Sequence, residues 1–121
     1  MRLVQEKTGL NQFTGYGADW VAVNQTPLFG SQIVTRDAIE SWRPGGFDEL
    51  QREDFARVLD WRPELVLLGT GNRIRFPAAV LTRDLIDSGI GIEVMDVGAV
   101  CRTFNALVNE GRQVVALVLF G

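Results

Sequence analysis

Residues 88–121, SGIGIEVMDVGAVCRTFNALVNEGRQVVALVLFG, predict a complete strand, helix, strand unit around which the rest of the chain is organised. The first strand is short and apolar, and the second, residues 114–120, is a nearly unbroken apolar run typical of a strand covered on both faces. Between them, Asp96 is placed to cap a helix and Gly111 to end it. We expect the two strands to pair in parallel through a right-handed crossover.

The predicted helix carries apolar residues at helical spacing, which indicates that one of its faces is buried. These residues are Val97, Val100, Cys101, Phe104, Leu107 and Val108. Because Cys101 lies among them, a buried and inert thiol is favoured over a reactive nucleophile. Cys101 is the only cysteine, so the chain can form no internal disulfide.

The remainder of the chain changes character near Phe47. Residues 1–46 are rich in Gly, Thr and β-branched residues and predict a β meander, with an edge strand at Leu3 and Val4, a strand at 20–23, and two short strands or one bent strand over 32–42. Residues 51–60 and 77–88 predict helices, and 65–69 a buried strand. We therefore predict one α/β domain over residues 1–121. Its N-terminal half is β-rich, and its C-terminal half is a βαβαβ unit with parallel strands at 65–69, 91–95 and 114–119.

Composition narrows the class of protein. With 121 residues, 46% of them apolar and 22% charged, the chain is long enough for one packed, soluble domain. The formal charge of −3 argues against a nucleic-acid partner. No apolar run is long enough to be a transmembrane segment, and the first residues, MRLVQEKTG, lack the apolar core of a signal peptide. We expect a cytoplasmic protein.

The absence of histidine limits the catalytic and metal-binding chemistry that this chain can perform. Histidine is the usual base of Ser-His and Cys-His catalysis and a common metal ligand, and this chain has none. A zinc site built from one cysteine and carboxylates is improbable. We therefore expect no catalytic residue, no metal ion and no cofactor, and we favour a protein that is not an enzyme.

A ligand crevice, if the chain has one, would lie beyond the carboxyl ends of the parallel strands, where open α/β sheets bind their ligands. There, glycines allow close approach to the backbone, and the helix N-terminus and an arginine favour an anion. The candidate residues are Gly69, Thr70, Gly71, Arg73, Glu93, Asp96 and Gly98. The alternative, a tight turn and an ordinary capped helix, is favoured because polar catalytic groups are scarce. The segment GTGNRIRF lacks the lysine and hydroxyl of a phosphate-binding P-loop.

Two polar features on the same unit have alternative interpretations. Glu93 lies in an apolar strand, so its carboxylate must be paired with a cation, hydrogen-bonded or exposed at an edge, and an ion pair is favoured over a general acid or base. Arg102, Thr103 and Asn105 point away from the apolar face of the helix. They form either a polar seam between the two halves or an exposed recognition surface.

Residues 93–119 resemble the small-domain family known as domain of unknown function 498, also called Mth938-like. The likeness is strongest in the pattern E-x-M…R-T-x-N-x-L-x-x-E-G-R, from Glu93 to Arg112, and in GTG at 69–71. With GYG at 15–17 and the segment around Trp42, it spans nearly the whole chain.

The resemblance implies a single three-layer β/α domain. The family includes the mitochondrial respiratory complex I assembly factor 3 and the adipogenesis-associated Mth938-domain protein. For mitochondrial members it implies a role in assembling a membrane-bound respiratory complex through protein contacts. The family's motif residues imply a cleft or contact surface and no specific chemistry.

Two functional hypotheses follow. The first is a non-enzymatic interaction or assembly factor, whose unknown protein partner could be membrane-complex assembly machinery, bound through a face that includes Arg102, Thr103 and Asn105. The second is a small-ligand or anion-binding protein, or an enzyme of unidentified type, that uses the crevice. The sequence leaves a homodimer open.

Overall fold

The computed structural model describes residues 9–121, which form eight strands and three α-helices. The expected edge strand at Leu3 and Val4 lies outside the described residues. The strands are β1 (Phe13–Tyr16), β2 (Trp20–Val23), β3 (Thr26–Phe29), β4 (Gln32–Thr35), β5 (Ile39–Ser41), β6 (Leu65–Thr70), β7 (Gly91–Met95) and β8 (Val114–Leu119). The helices are α1 (Arg52–Ala56), α2 (Arg83–Asp87) and α3 (Val97–Asn109). Short 3-10 turns cover Phe47–Glu49, Arg57–Trp61 and Ala79–Thr82.

The first three strands form an antiparallel meander in the order β1-β2-β3, whereas residues 32–42, which the sequence also predicts as part of the meander, belong to the second sheet. The β2–β3 turn places Asn24 and Gln25 at φ values of 50° and 74°. A two-residue hairpin turn needs two left-handed residues, and asparagine adopts that conformation at low cost. The strands β4 and β5 pair antiparallel in the second sheet, so residues 32–42 form two short strands.

The second sheet has five strands in the order β5-β4-β8-β6-β7. The strand β6 pairs in parallel with both β7 and β8, while β4 pairs antiparallel with β8. The predicted direct pairing of β7 with β8 is therefore wrong. The order follows from burial, because β6 and β8 are almost wholly apolar and are covered on both faces, whereas β7 carries Glu93 and lies at the edge.

Each face of the five-stranded sheet carries its own hydrophobic core. Successive β8 residues alternate between them: Val114, Ala116 and Val118 face the meander and α3, whereas Val115, Leu117 and Leu119 face α1 and α2. This two-sided burial explains the unbroken apolar run. The protein is a single α/β domain in three layers, and three parallel strands lie in its sheet, as the sequence predicts.

Asn105 joins α3 to the meander. Its Oδ1 accepts a hydrogen bond from Phe13 N at 2.8 Å, and its Nδ2 donates one to Phe13 O at 2.8 Å. The side chain thus satisfies the outward-facing backbone groups at one residue of β1, as a neighbouring strand would. The structure places Asn105 in the seam between the halves, which is the first of its two expected positions.

Replacing Asn105 by Ala should lower the free energy of unfolding by about 1–3 kcal/mol, because it leaves the half-buried N–H and C=O of Phe13 without partners. Asn109→Ala is the control, since Asn109 is exposed and accepts only a 3.4 Å hydrogen bond from Gln12. Urea denaturation measures both. Equal losses in the two variants would show that the Asn105 clamp contributes nothing specific.

An ion pair ties α1 to the start of α2. Arg52 donates to both carboxylate oxygens of Asp84, at 2.9 and 2.7 Å. These hydrogen bonds, followed by the charge of Arg52, hold the pKa of Asp84 below its ordinary value. A lowered pKa in the folded state means that the pair stabilises the fold at neutral pH and that this stabilisation is lost as the pH falls through the folded-state pKa.

Comparison of the wild type with Asp84→Asn should therefore depend on pH. We expect a lower melting temperature for the variant at pH 7 and no difference once the wild-type carboxyl is protonated in acid. Thermal unfolding followed across this acidic range measures the effect. A melting-temperature gap that stays constant down to full protonation would mean that the gap does not come from the carboxylate charge.

Candidate functional site

A hollow of about 680 Å³ opens where β6 ends and α3 begins. Four parts of the chain line it: residues 16–18 after β1, the loop at 70–73 with Arg75, the start of α3 at 96–98, and residues 120–121 after β8. Because β6, β7 and β8 are parallel and α3 begins directly after β7, the carboxyl ends of these strands and the start of α3 lie at the same edge of the sheet. This is the position at which open α/β sheets bind ligands.

The loop after β6 is held in a fixed shape. The Thr70 hydroxyl is buried, donates to Arg73 O at 2.6 Å and accepts from Arg75 N at 3.0 Å. Gly71 has a φ of 83°, a conformation that favours glycine. Its carbonyl accepts from Val97 N at 2.9 Å, so the loop is bonded directly to the first turn of α3.

The first turn of α3 is capped by Asp96, and the side chain of Tyr16 lies close to it. Asp96 Oδ1 accepts from Ala99 N at 2.8 Å, the N-cap hydrogen bond that the sequence predicts. A Cβ on Gly98 would lie 2.7 Å from Tyr16 Oη. Tyr16 therefore reaches across from β1 and lies over the helix start, and glycine at position 98 makes room for it.

Arg75 supplies positive charge to the hollow. Its guanidinium lies 4.7 Å from the centre of the Phe47 ring, and its Nη2 donates to Gly121 O at 2.7 Å. Its Nε is buried and has no acceptor within residues 9–121. Neither Arg75 nor the exposed Arg73 takes part in an ion pair in the described part of the chain. The arrangement can accommodate an anion.

Comparison with known proteins places the chain in a family. The sequence profile described as "Protein of unknown function (DUF498/DUF598)" matches residues 13–119, nearly the whole chain. The chain belongs to this family. Its fold agrees, because the crystal structure of a Bordetella parapertussis protein is similar, with a TM-score of 0.87, 31% identity and coverage of 94% of this chain and 98% of the other.

Two further proteins are similar to this DUF498/DUF598 chain, one by its solved structure and one by its sequence. The solution structure of a Bordetella pertussis protein, described as an Mth938-like domain, has a TM-score of 0.81 and 26% identity, over 93% of this chain and 87% of the other. The bovine NADH dehydrogenase [ubiquinone] 1 alpha subcomplex assembly factor 3 is 30% identical over 91% of this chain. The match covers only 61% of the bovine protein. At least one protein similar to this DUF498/DUF598 domain is thus named as an assembly factor of NADH dehydrogenase.

The structure brings five of the predicted crevice residues together in this DUF498/DUF598 domain. Thr70, Gly71, Arg73, Asp96 and Gly98 all line the hollow. They meet because the loop after β6 is hydrogen-bonded to the start of α3.

Gly69 and Glu93 do not line the hollow. Gly69 packs beneath α3, where a Cβ would lie 3.0 Å from Val100 Cγ2. Glu93 is exposed on the edge strand β7, because α3 packs over β6 and β8 and leaves β7 uncovered. Among residues 9–121 it forms no ion pair, so the expected pairing of Glu93 is wrong there and the edge-exposed alternative applies.

Tyr16 and Arg75 are among the lining residues that the predicted crevice did not include. Tyr16 comes from the other half of the chain, and only the glycines on either side of it, GYG at 15–17, signal an unusual backbone. Arg75 alternates with apolar residues in RIRF, which gives no sign of its direction. On α3, Arg102 is exposed and Thr103 is half-buried.

Three further properties of the described residues concern metal binding, the reactivity of the thiol and membrane spanning. No group of three or more cysteine, aspartate or glutamate side chains within residues 9–121 could hold a metal ion. Burial raises the pKa of the Cys101 thiol to about 12, so it stays protonated and unreactive at neutral pH, as its position among apolar residues predicts. In the same range, no helix is long and apolar enough to cross a bilayer.

Proposed function

We propose that this domain is a non-enzymatic, cytoplasmic protein-interaction factor that assists assembly of a membrane-bound respiratory complex. Support comes from the bovine assembly factor, which is similar over 91% of this chain. The partner is taken to be a subunit or assembly protein of that complex. Nucleic acid is not expected as a partner because the net charge is negative.

An exposed apolar surface carries the proposal. Ile74, Phe76 and Val80 are exposed by 51%, 74% and 53%, and they lie within seven residues between β6 and α2. We call this segment the 74–80 surface. It adjoins the hollow through Arg73 and Arg75, which line that hollow. Exposed apolar side chains that lie close to arginines along the chain favour a protein interface, where aromatic residues and arginine are enriched.

Site-specific cross-linking in cells tests the surface. A photoreactive amino acid at position 76 should cross-link to a defined partner protein, identified by mass spectrometry. The matched control is position 29, because Phe29 is also an exposed aromatic (66%) but lies on β3. The same adducts from both positions, or none from position 76, would contradict the proposal. An adduct to a second copy of the chain at position 76 would indicate a homodimer in place of the proposed partner.

The α3 surface is the alternative contact region. Arg102 is exposed there, and Thr103 is beside it, whereas the Asn105 amide is engaged by Phe13. If Arg102→Glu abolishes the position-76 adduct while the variant stays folded, the contact region extends onto α3. If the adduct persists, the 74–80 surface binds the partner without a contribution from Arg102.

The hollow supports a second candidate function, binding of a small anion. The observation that favours it is the buried Nε of Arg75 without an acceptor, beside the exposed Arg73. NMR titration with inorganic phosphate and with succinate should shift the amides of Gly71 and Gly98, and Arg73→Gln should weaken the effect. Arg62→Gln is the control, because Arg62 is exposed and does not line the hollow. No shift with either anion, or equal shifts in both variants, would exclude this function.

A further inference from the structure

In the described chain, three of the four sheet edges have features that hinder pairing with a further strand. Asn105 bonds the outer backbone groups of β1 at Phe13, and Pro27 removes an N–H donor from β3. The strand β5 has only three residues, and its Glu40 is paired with Arg57 at 2.7 Å. Such devices block unwanted strand pairing.

The fourth edge, β7, is open. The strand has five residues, contains no proline, lysine or arginine, and pairs only with β6. Beyond that pairing, no backbone hydrogen bond within residues 9–121 involves residues 91–95. In a strand paired on one side, alternate residues direct their N–H and C=O groups outward. These groups are therefore free to bond an added strand.

Glu93 sets the charge of this edge. It is exposed at the centre of β7, on the same face of the sheet as α3 but beyond the strands that α3 covers. Two copies of β7 pairing antiparallel about their centres would bring two Glu93 carboxylates face to face, and like charges in that position destabilise a sheet. An incoming strand with a lysine or arginine at the same position would instead form a cross-strand ion pair.

We propose that the β7 edge binds an extended segment of a partner protein, which carries a lysine or arginine opposite Glu93. The segment adds a sixth strand to the sheet through backbone hydrogen bonds, and the basic residue sets its register. Half-buried Ile92 and Val94 offer apolar contact on the other face of the strand. The inference rests on the proposed function only in taking the occupant to be a protein.

The test uses two synthetic seven-residue peptides of alternating valine and threonine, one with a central lysine and one with a central glutamate. Hydrogen exchange and amide shifts of residues 91–95 report binding at the edge. We expect the lysine peptide to bind and to slow exchange there, and Glu93→Lys to weaken it about tenfold while making the glutamate peptide the better ligand. Glu110→Lys changes the net charge equally at an exposed site beyond α3 and should leave the preference unaltered.

Three results would overturn this inference. These are equal binding of both peptides, shifts that fall outside β7, and slow exchange of the outward amides in the free protein, which would mean that the edge is already occupied. A negative peptide result combined with a specific adduct at position 76 would reject the β7 site and leave the proposed function standing.

Discussion

Phe104→Ala should lower the free energy of unfolding by about 3–5 kcal/mol, the range for removing a fully buried aromatic side chain. Phe104 is completely buried in α3, and its ring meets Phe13 edge-on, with centroids 5.1 Å apart and an interplanar angle of 77°. It belongs to the core that α3, the meander and the five-stranded sheet share. The substitution leaves a cavity at the junction of all three.

Urea denaturation followed by tryptophan fluorescence measures this loss, since the chain has three tryptophans. Phe29→Ala is the matched control, because Phe29 is 66% exposed and its removal opens no cavity. Phe104→Leu should fall between the two. If Phe104→Ala were no more destabilising than Phe29→Ala, the meander and the sheet would not share a core at this helix.

Gly69→Ala should lower the free energy of unfolding by about 1–3 kcal/mol, because the added methyl group overpacks a tight interface. Its Cβ would lie 3.0 Å from Val100 Cγ2 and 3.4 Å from the Val97 backbone. Relief requires the first turn of α3, which carries Val97 and Val100, to shift by a few tenths of an ångström away from β6. That movement would also strain the 2.9 Å hydrogen bond from Val97 N to Gly71 O, on which the shape of the hollow depends.

Hydrogen exchange at the Val97 amide should therefore accelerate in Gly69→Ala along with the loss of stability. Gly15→Ala is the control, because the nearest atom to its Cβ would be 3.5 Å away, an ordinary contact, on the ring of the half-buried Trp20. Unchanged stability in Gly69→Ala would show that α3 packs less tightly on β6 than these distances indicate.

The sequence predicts the elements of the C-terminal half well and their order less well. Periodicity and capping locate β6, β7, α3 and β8, because each is long or strongly apolar. The order of the strands depends on which of them are covered on both faces. The local sequence pattern does not show which of two apolar strands is more deeply buried. Glu93 is the residue that signals an edge, but a carboxylate in an apolar strand also fits an ion pair, which the sequence alone favours.

The helices around the second core show a different limit. Residues 51–60 predict one helix, whereas the structure has α1 followed by a 3-10 turn, and residues 77–88 likewise divide into a 3-10 turn and α2. These segments are short, so tertiary packing determines their local geometry more than propensity does. In the candidate site, Tyr16 and Arg75 could not be placed because their position depends on contacts between distant parts of the chain.

The assembly role is tested most directly in cells that lack this protein. The amount of assembled membrane-bound NADH dehydrogenase is measured on native gels after complementation with the wild type, Phe76→Ser or Phe29→Ser, all present at equal levels. We predict that the wild type and Phe29→Ser restore the complex and that Phe76→Ser does not. Full assembly without the protein, or equal restoration by both variants, would contradict the proposal that this domain assembles the complex through its 74–80 surface.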